Sequence, residues 1–212
     1  MLALMISLNN IQFTQLDANS YCATASLALT VATVGTDTWT DKTLKRQNQR
    51  DGVRLLLQKL LAELAIIDTL DELAFPYRLT RHGYYVCFSH SANKVAVAIS
   101  YRQAIGIDVE MNTVAWRVAK RYYHASEIAI LELLPIAKRD YLVKLLWQVK
   151  ESLIKIDQNK LAAGLGVPYT ALTRQLIEND TIADSSFIPL NYHHVTNHQL
   201  TILTTQQTVI VF

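Results

Sequence analysis

The pattern of apolar and polar positions in the first half of the chain predicts strands and one long helix. Apolar runs near Leu2–Ser7 and Tyr21–Thr30 are typical of strands. A helical period follows from about Lys42 to Ile67, and Thr40 and Asp41 are the candidate caps at its start. The first half is therefore expected to pack one long helix against strands.

Strands follow this helix, and a second helical region follows the strands. Short runs of β-branched and aromatic residues predict a meander at residues 84–89, 94–100 and 104–110. From Ala115 to about Lys160 the period is helical, with breaks at Ser126 and Pro135 and a helix that starts near Lys138. The tail, His198–Phe212, has the pattern of a closing hairpin.

This order of elements predicts an α+β protein with two pseudo-symmetric lobes, because both halves run strand, long helix, strands. Each lobe is expected to pack a long helix on a small, mainly antiparallel sheet, with the active site in the cleft between the lobes. We place the boundary so that residues 1–103 form the N-terminal lobe and residues 104–212 form the C-terminal lobe.

Composition narrows the class of protein but selects no partner. Apolar residues make up 50% of the chain, which is enough for a sizeable core, and 20 basic and 18 acidic residues give a net charge of +2. This balance argues against a dedicated nucleic-acid binder and against a polybasic membrane anchor. The apolar N-terminus is short and has no basic residue ahead of it, so we expect neither a signal peptide nor a membrane span. Cys22 and Cys87 lie in apolar runs without CxxC spacing, which favours buried, reduced thiols and a cytoplasmic protein.

The helix that starts near Lys138 has two faces of different chemistry. Its apolar stripe consists of Leu142, Leu145, Leu146, Val149, Leu153 and Ile156. Trp147, Glu151 and Lys155 recur every four residues on another face. A solvated face with a Glu151–Lys155 pair is one interpretation. A tryptophan at the head of the row favours a cleft over bulk solvent.

The strand at 104–110 adds a second set of carboxylates. Asp108 and Glu110 are two residues apart, so they point to the same face of a strand, and paired carboxylates suit Mg²⁺. Two exposed acids at a strand end are the plainer alternative. Gly106 allows close approach of a backbone or a ligand. With Glu151, the pair would supply three carboxylates to one Mg²⁺, and Lys155 would face the phosphates of a ligand.

These stretches resemble the signature of the 4'-phosphopantetheinyl transferases. In that family a Gly-x-Asp-x-Glu strand is followed about forty residues later by Trp-x-x-Lys-Glu-Ser-x-x-Lys; this chain has "GIDVE" and "WQVKESLIK", and Trp147 follows Asp108 by 39 positions. "RYYHASEIAIL", "FSHS" and "KRQNQRDGVRLLLQKLL" are similar to further segments of the family, the last to its arginine-bearing first helix. Length and order resemble the larger, monomeric, surfactin-type branch, which implies the same two-lobed fold.

The resemblance also implies a role for each matching residue. It implies that Asp108, Glu110 and Glu151 hold Mg²⁺ and that Lys155 contacts the diphosphate of coenzyme A, with Glu151 also the candidate proton acceptor. It further implies a phosphate site for the nucleotide, with the candidates Arg46, Arg54, Ser89, His90 and Lys150. Glu127 matches a glutamate of the family pattern and is expected to orient a neighbour or to cap a helix.

The activity implied by the resemblance is transfer of phosphopantetheine from coenzyme A to a serine of an apo acyl or peptidyl carrier protein. Mg²⁺ is the implied cofactor and coenzyme A is a substrate; no nucleic acid or membrane is expected as a partner, and the chain is expected to be a monomer. A basic and apolar patch near the Arg121–His124 helix is the candidate docking surface. A non-catalytic protein that binds coenzyme A or a carrier is the main alternative, and another Mg²⁺-dependent nucleotide-processing enzyme is a third.

One segment of the family pattern is absent from this sequence. The family's Gly-Lys-Pro segment is missing from "FPYRLTRHGYYVCFSHS". Arg78 or Arg81 is the candidate substitute for its lysine, since an arginine can donate two parallel hydrogen bonds to phosphate oxygens.

His193, His194 and His198 lack the spacing of a zinc helix, so we expect no structural zinc there.

Overall fold

The computed structural model describes residues 5–30, 42–178, 187–192 and 195–212. The fold is α+β with two lobes, as predicted, and each lobe packs one long helix on an antiparallel sheet. The predicted strand start at Leu2 and the candidate caps Thr40 and Asp41 lie outside the described residues.

The first lobe, as far as the structure describes it, is a six-stranded antiparallel sheet covered by one helix. Its strands are β1 (Met5–Gln15), β2 (Ser20–Thr30), β3 (Leu70–Asp71), β4 (Tyr77–Leu79), β5 (Tyr85–Ser91) and β6 (Lys94–Ser100). Their spatial order is β1-β2-β6-β5-β4-β3. Helix α1 spans Lys42–Glu63 and packs on one face of this sheet. The pattern of the sequence predicted these elements except the short strands β3 and β4, but it ended the first strand at Ser7 and the helix at Ile67.

Within the described residues, the second lobe has a four-stranded antiparallel sheet and five helices. Its strands are β7 (Gly106–Val109), β8 (Phe187–Tyr192), β9 (Val195–Leu203) and β10 (Thr208–Val211), in the spatial order β7-β10-β9-β8. Its helices are α2 (Trp116–Tyr122), α3 (Ala125–Leu131), α4 (Ile136–Asp157), α5 (Leu161–Leu165) and α6 (Thr170–Glu178). Strand β8 and helices α5 and α6 were not predicted. None of the described helices is long and apolar enough to cross a membrane.

The core has three layers because alternate residues of a strand face opposite sides of its sheet. On β6, Val97 and Ile99 pack towards α1, whereas Ala96 and Ala98 face the second lobe. Ile107 and Val109 of β7 meet this second side, so an apolar layer joins the two sheets. The remaining cluster lies between the second sheet and α4.

The two cysteines lie in the layer between the sheets. Cys22 and Cys87 are both free and buried, as predicted. Burial raises the pKa of Cys22 to about 12, so this thiol stays protonated and unreactive near neutral pH.

Helix α4 is the centre of the second lobe. The helix begins directly after Pro135, and most of the predicted apolar stripe is buried, at Leu142, Leu145, Leu146, Val149 and Leu153. That stripe was too narrow, however, because Val143, Gln148, Lys150 and Ser152 are buried as well. The helix packs against the sheet on one side and against the shorter helices on others, so its residues after Tyr141 are all buried or half-buried.

Gly106 sets how closely β7 approaches α4. A Cβ atom at this position would lie 2.0 Å from the carbonyl oxygen of Ser152. Any larger residue would therefore push the strand and the helix apart. This confirms the close approach predicted at Gly106, and the neighbour is the backbone of α4.

Candidate functional site

A cavity of about 670 Å³ lies between the lobes. Its walls come from α1, from the segment between β3 and β5, from β5 and β7, and from α4. Most of the predicted site residues meet here: Arg54, Ser89, His90, Asp108, Glu110, Glu151 and Lys155. Arg46 and Lys150 are not among the described residues that line it.

Lys155 and Asp108 form an ion pair at the base of the cavity. The Lys155 Nζ lies 3.1 Å from Asp108 Oδ1 and donates a hydrogen bond to the carbonyl oxygen of Ile107 at 2.7 Å. Burial works against the charge on Lys155, but the attraction of Asp108, with smaller contributions from Cys87 and Glu151, outweighs it and raises the pKa of Lys155. Lys155 is therefore held as a cation that faces the cavity.

Glu151 lies one helical turn before Lys155. Burial, then the negative charges of Asp108 and Glu110, raise the pKa of Glu151, while Lys155 lowers it. A carboxylate with a raised pKa accepts a proton more readily than an ordinary glutamate. Its placement in the cavity makes Glu151 the best candidate base among the described residues.

Four carboxylates line the cavity, and the three predicted metal ligands among them, Asp108, Glu110 and Glu151, do not converge on one point. Among the described residues, no group of three or more His, Cys, Asp or Glu side chains stands close enough together to hold a metal ion as placed. The donor set nevertheless fits Mg²⁺ chemically, since Asp108, Glu110 and Glu151 offer oxygen ligands to one cavity and the charges of the first two raise the pKa of the third. A cation would relieve that repulsion.

Two serines of β5 contact the two acids of β7. The Ser89 hydroxyl donates to Asp108 Oδ1 at 2.8 Å, and the Ser91 hydroxyl donates to Glu110 Oε1 at 2.5 Å. Ser89 thus lines the cavity as predicted but holds a carboxylate. Ser91 was not predicted, although it lies two residues from Ser89 and hence on the same face of the strand.

Helix α1 brings two arginines to the cavity. Arg54 pairs with Glu72 at 2.7 Å, and both side chains are more than a third exposed, so this pair holds Arg54 only weakly. Arg50 also lines the cavity and was not predicted. Burial, then the charges of Lys155 and Arg50, lower the pKa of His90, which favours the neutral imidazole.

Arg46, Arg50 and Arg54 lie four residues apart on α1, a spacing that places them along one side of a helix. Arg50 and Arg54 reach the cavity, whereas Arg46 is exposed and lies outside its lining. Binding of a nucleotide phosphate by Arg46 therefore stays a prediction.

The segment from Phe75 to Tyr85 contributes aromatic side chains to the cavity. Phe75 and Tyr77 meet edge to face, with ring centroids 5.3 Å apart, and Tyr77 also contacts Phe88. The Arg78 guanidinium lies 4.0 Å from the ring centroid of Tyr85, outside the cavity lining. Arg81 lies outside it as well. Contact of either arginine with phosphate, in place of the Gly-Lys-Pro lysine, therefore stays a prediction.

The structure places Lys150 away from the cavity, unlike the prediction from the sequence. Its side chain is fully buried, and its Nζ lies 2.9 Å from Glu127 Oε2 and donates to the carbonyl oxygens of Leu165 and Val167 at 2.9 and 2.6 Å. These three contacts use all three ammonium protons. The prediction that Lys150 is part of the phosphate pocket does not hold in this structure, because the side chain enters the core of the second lobe.

Glu127 is the other half of this buried pair. It forms a capping box at the start of α3, where its carboxylate accepts a hydrogen bond from the backbone N–H of His124. Its Oε1 also accepts from the N–H of Tyr169 at 2.9 Å. The expected cap is thus confirmed, and the same carboxylate ties α3, α4 and the start of α6 together.

Of the three histidines near the C-terminus, His198 lies within the described residues. His193 and His194 lie outside the described residues. A ring nitrogen of His198 lies 3.2 Å from the carbonyl oxygen of Ala104, at the junction between the lobes.

Comparison with known proteins gives one family. Residues 104–204 match the family model of the 4'-phosphopantetheinyl transferase superfamily. A search of curated protein sequences finds no match. The matched residues run from β7 into β9 and include Asp108, Glu110, Glu151 and Lys155 of the cavity. The match supports a transferase that acts on phosphopantetheine in general and does not assign the branch.

Proposed function

We propose that this chain, whose residues 104–204 match the family model of the 4'-phosphopantetheinyl transferase superfamily, moves phosphopantetheine from coenzyme A to a serine of an apo acyl or peptidyl carrier protein. The observation that carries the proposal is the cavity between the lobes, which collects three carboxylates and a protonated lysine from the matched region. We also propose the surfactin-type branch, which the two lobes of similar build support.

The chemistry follows from where charge develops. The carrier serine oxygen forms a new bond to the β-phosphorus of coenzyme A, the bond from that phosphorus to the bridging diphosphate oxygen breaks, and 3',5'-ADP leaves with the electron pair. Lys155 stabilises the negative charge on the diphosphate oxygens. Glu151 accepts the proton of the serine hydroxyl, directly or through an intervening water, because its pKa is raised and it lies one turn from Lys155.

Asp108, Glu110 and Glu151 would hold Mg²⁺ in this reaction, and the ion would supply further positive charge to the diphosphate. Arg50 and Arg54 of α1 supply cations for the remaining phosphate of the nucleotide, and His90 contributes a hydrogen-bond partner at the same wall. Phe75 and Tyr77 offer an aromatic wall in place of the family's lysine.

The carrier protein is proposed to dock beside α2. Lys120 and Arg139 both lie over the Trp116 ring, at 5.9 and 4.8 Å from its centroid, so cations and an aromatic group share one surface. Leu133 and Ile136 are 85% and 68% exposed nearby along the chain. A basic surface with apolar groups suits a carrier that is acidic around its serine, since complementary charge guides encounter.

We further propose a monomer in the cytoplasm, with the lobe boundary near residue 103. Two free, buried cysteines are compatible with a reducing compartment. The two sheets draw on separate stretches of chain, with β6 ending at Ser100 and β7 starting at Gly106, which supports the boundary.

The experiment is intact-mass spectrometry of apo carrier proteins of several classes, incubated with the protein, coenzyme A and Mg²⁺. We expect one carrier class to gain a single phosphopantetheine and the gain to disappear when a chelator is added. Retained binding of coenzyme A without mass gain on any carrier would favour a non-catalytic binding protein.

A further inference from the structure

Strand β7 lies at the edge of the second sheet, and β5 of the first sheet runs beside it. An edge strand leaves N–H groups without a partner strand, and buried N–H groups need an acceptor. Here the N–H groups of Val109 and Met111 donate to the hydroxyls of Ser89 and Ser91, at 3.2 and 3.0 Å. The two lobes are therefore joined at the cavity by side chains of β5.

Each serine hydroxyl also donates a hydrogen bond. Its acceptor is the carboxylate of the residue just before the one whose N–H group donates to that serine. Ser89 holds Asp108 Oδ1, which Lys155 contacts as well, and Ser91 holds Glu110 Oε1. The same Glu110 oxygen accepts from the backbone N–H of Asn112 at 2.7 Å and from its side chain at 3.1 Å.

One carboxylate oxygen of Asp108 and one of Glu110 thus accept two or more hydrogen bonds each, while the second oxygen of each carboxylate is open to a ligand. Among the described residues, none donates a hydrogen bond to Asp108 Oδ2 or to Glu110 Oε2. A carboxylate with one oxygen held and one open is oriented to bind a cation through a single oxygen, which is how Mg²⁺ usually takes its few protein ligands.

We propose that Ser91, with Ser89, is a positioning residue that presents the open oxygen of Glu110, and of Asp108, to a divalent cation at the seam between the lobes. The inference rests on the proposed function, since it concerns the cation of that same site. In this proposal the two serines of the first lobe orient the two carboxylates of the second. The cation site therefore depends on both lobes, although its ligands come only from the second lobe. Hydrogen bonds that orient metal ligands commonly matter about 10- to 100-fold for metal affinity.

The test compares Ser91→Ala with Ser91→Thr, which keeps the hydroxyl, and with Ser100→Ala. Ser100 is a matched control because it is buried and hydrogen-bonded to Ser20, on the same sheet but outside the cavity. Binding of Mn²⁺, a paramagnetic probe, is measured for each folded full-length variant by electron paramagnetic resonance, without coenzyme A or carrier. Thermal unfolding of each variant is recorded alongside.

We expect Ser91→Ala to raise the Kd for Mn²⁺ about tenfold or more, Ser91→Thr to restore most of the affinity, and Ser100→Ala to leave the Kd unchanged despite a similar loss of stability. Hydrogen exchange at the Met111 amide should also be faster in Ser91→Ala alone. Unchanged Mn²⁺ affinity in Ser91→Ala, or equal losses in Ser91→Ala and Ser100→Ala, would overturn the inference, as would a wild-type protein that binds no Mn²⁺. The transfer assay on the wild type tests the proposed function separately.

Discussion

Two of the four lysines of helix α4, Lys150 and Lys155, lie five residues apart in very different surroundings. Lys150 is fully buried, with its three protons on Glu127 and two backbone carbonyl oxygens, and contributes nothing to the cavity. Lys155 is partly exposed, contacts Asp108 and lines the cavity.

The difference shows that two things determine the role of a lysine: its position around the helix axis and the elements packed beside it. Lys150 meets the turn between α5 and α6, which supplies a closed set of acceptors, so its charge stabilises the packing of helices. Lys155 meets β7 and open space, so its charge remains able to act on a ligand. One face of α4 holds the second lobe together and the other carries the proposed chemistry.

The largest expected effect is at the cavity face. Glu151→Gln keeps the shape of the side chain but cannot accept a proton, so we expect transfer to fall about 100- to 10,000-fold. The unfolding temperature should not fall, because the change also removes a charge that Asp108 and Glu110 repel. Initial rates from intact-mass time courses check this, with Glu63→Gln on the exposed end of α1 as the control. Wild-type turnover in folded Glu151→Gln would remove Glu151 from the mechanism.

On the structural face, Lys150→Met should act on stability. The change leaves Glu127 buried without its cation, which typically costs about 3–5 kcal/mol. Chemical denaturation measures this loss, and the double variant Glu127→Leu with Lys150→Met should recover part of it, since no unpaired charge then remains. Lys155→Met is the matched comparison, with a smaller loss of stability and a larger loss of transfer in the folded protein. Equal behaviour of the two single variants would refute the distinction.

The distance between the two elements of the site depends on Gly106. Gly106→Ala would place a methyl group against the Ser152 carbonyl, so we expect destabilisation of about 1–3 kcal/mol and reduced transfer as β7 and α4 move apart. Gly166→Ala is the control, because a Cβ atom there meets only ordinary contacts at 3.5 Å or more. Similar unfolding free energies for both variants would argue against the close packing at Gly106.

The smallest effects should appear in coenzyme A binding. Arg50→Ala removes a cation from the cavity wall and should raise KM for coenzyme A several-fold with little change in kcat, because partly solvated ion pairs contribute modestly. Arg81→Ala, outside the cavity, should leave KM unchanged. Steady-state kinetics of both variants decide which arginines serve the nucleotide; an effect of Arg81→Ala alone would reverse our assignment.

The sequence predicted much of this arrangement where a residue's role follows from local spacing. Asp108 and Glu110 share a strand face, Glu151 and Lys155 share a helix face, and both pairs line the cavity. Arg50 was also within reach, since it lies midway in a row of arginines four residues apart on α1.

The rest depends on contacts between distant parts of the chain. Lys150 was misassigned because only the fold brings the carbonyl oxygens of Leu165 and Val167 to its ammonium group. The aromatic wall at Phe75 and Tyr77 had no local signal, because the pattern of that segment predicted neither β4 nor its place beside β5. The role of Ser91 required knowing that β7 lies at a sheet edge.

The most direct test of the central claim counts both products of one reaction. Carrier protein, coenzyme A, Mg²⁺ and the wild-type protein are mixed, and 3',5'-ADP and modified carrier are quantified in the same samples. We predict one 3',5'-ADP for each phosphopantetheine gained by the carrier, with both products lost in Glu151→Gln. Release of 3',5'-ADP without modification of any carrier would instead show a different nucleotide-processing reaction, and would contradict the assignment of this cavity to carrier-protein modification.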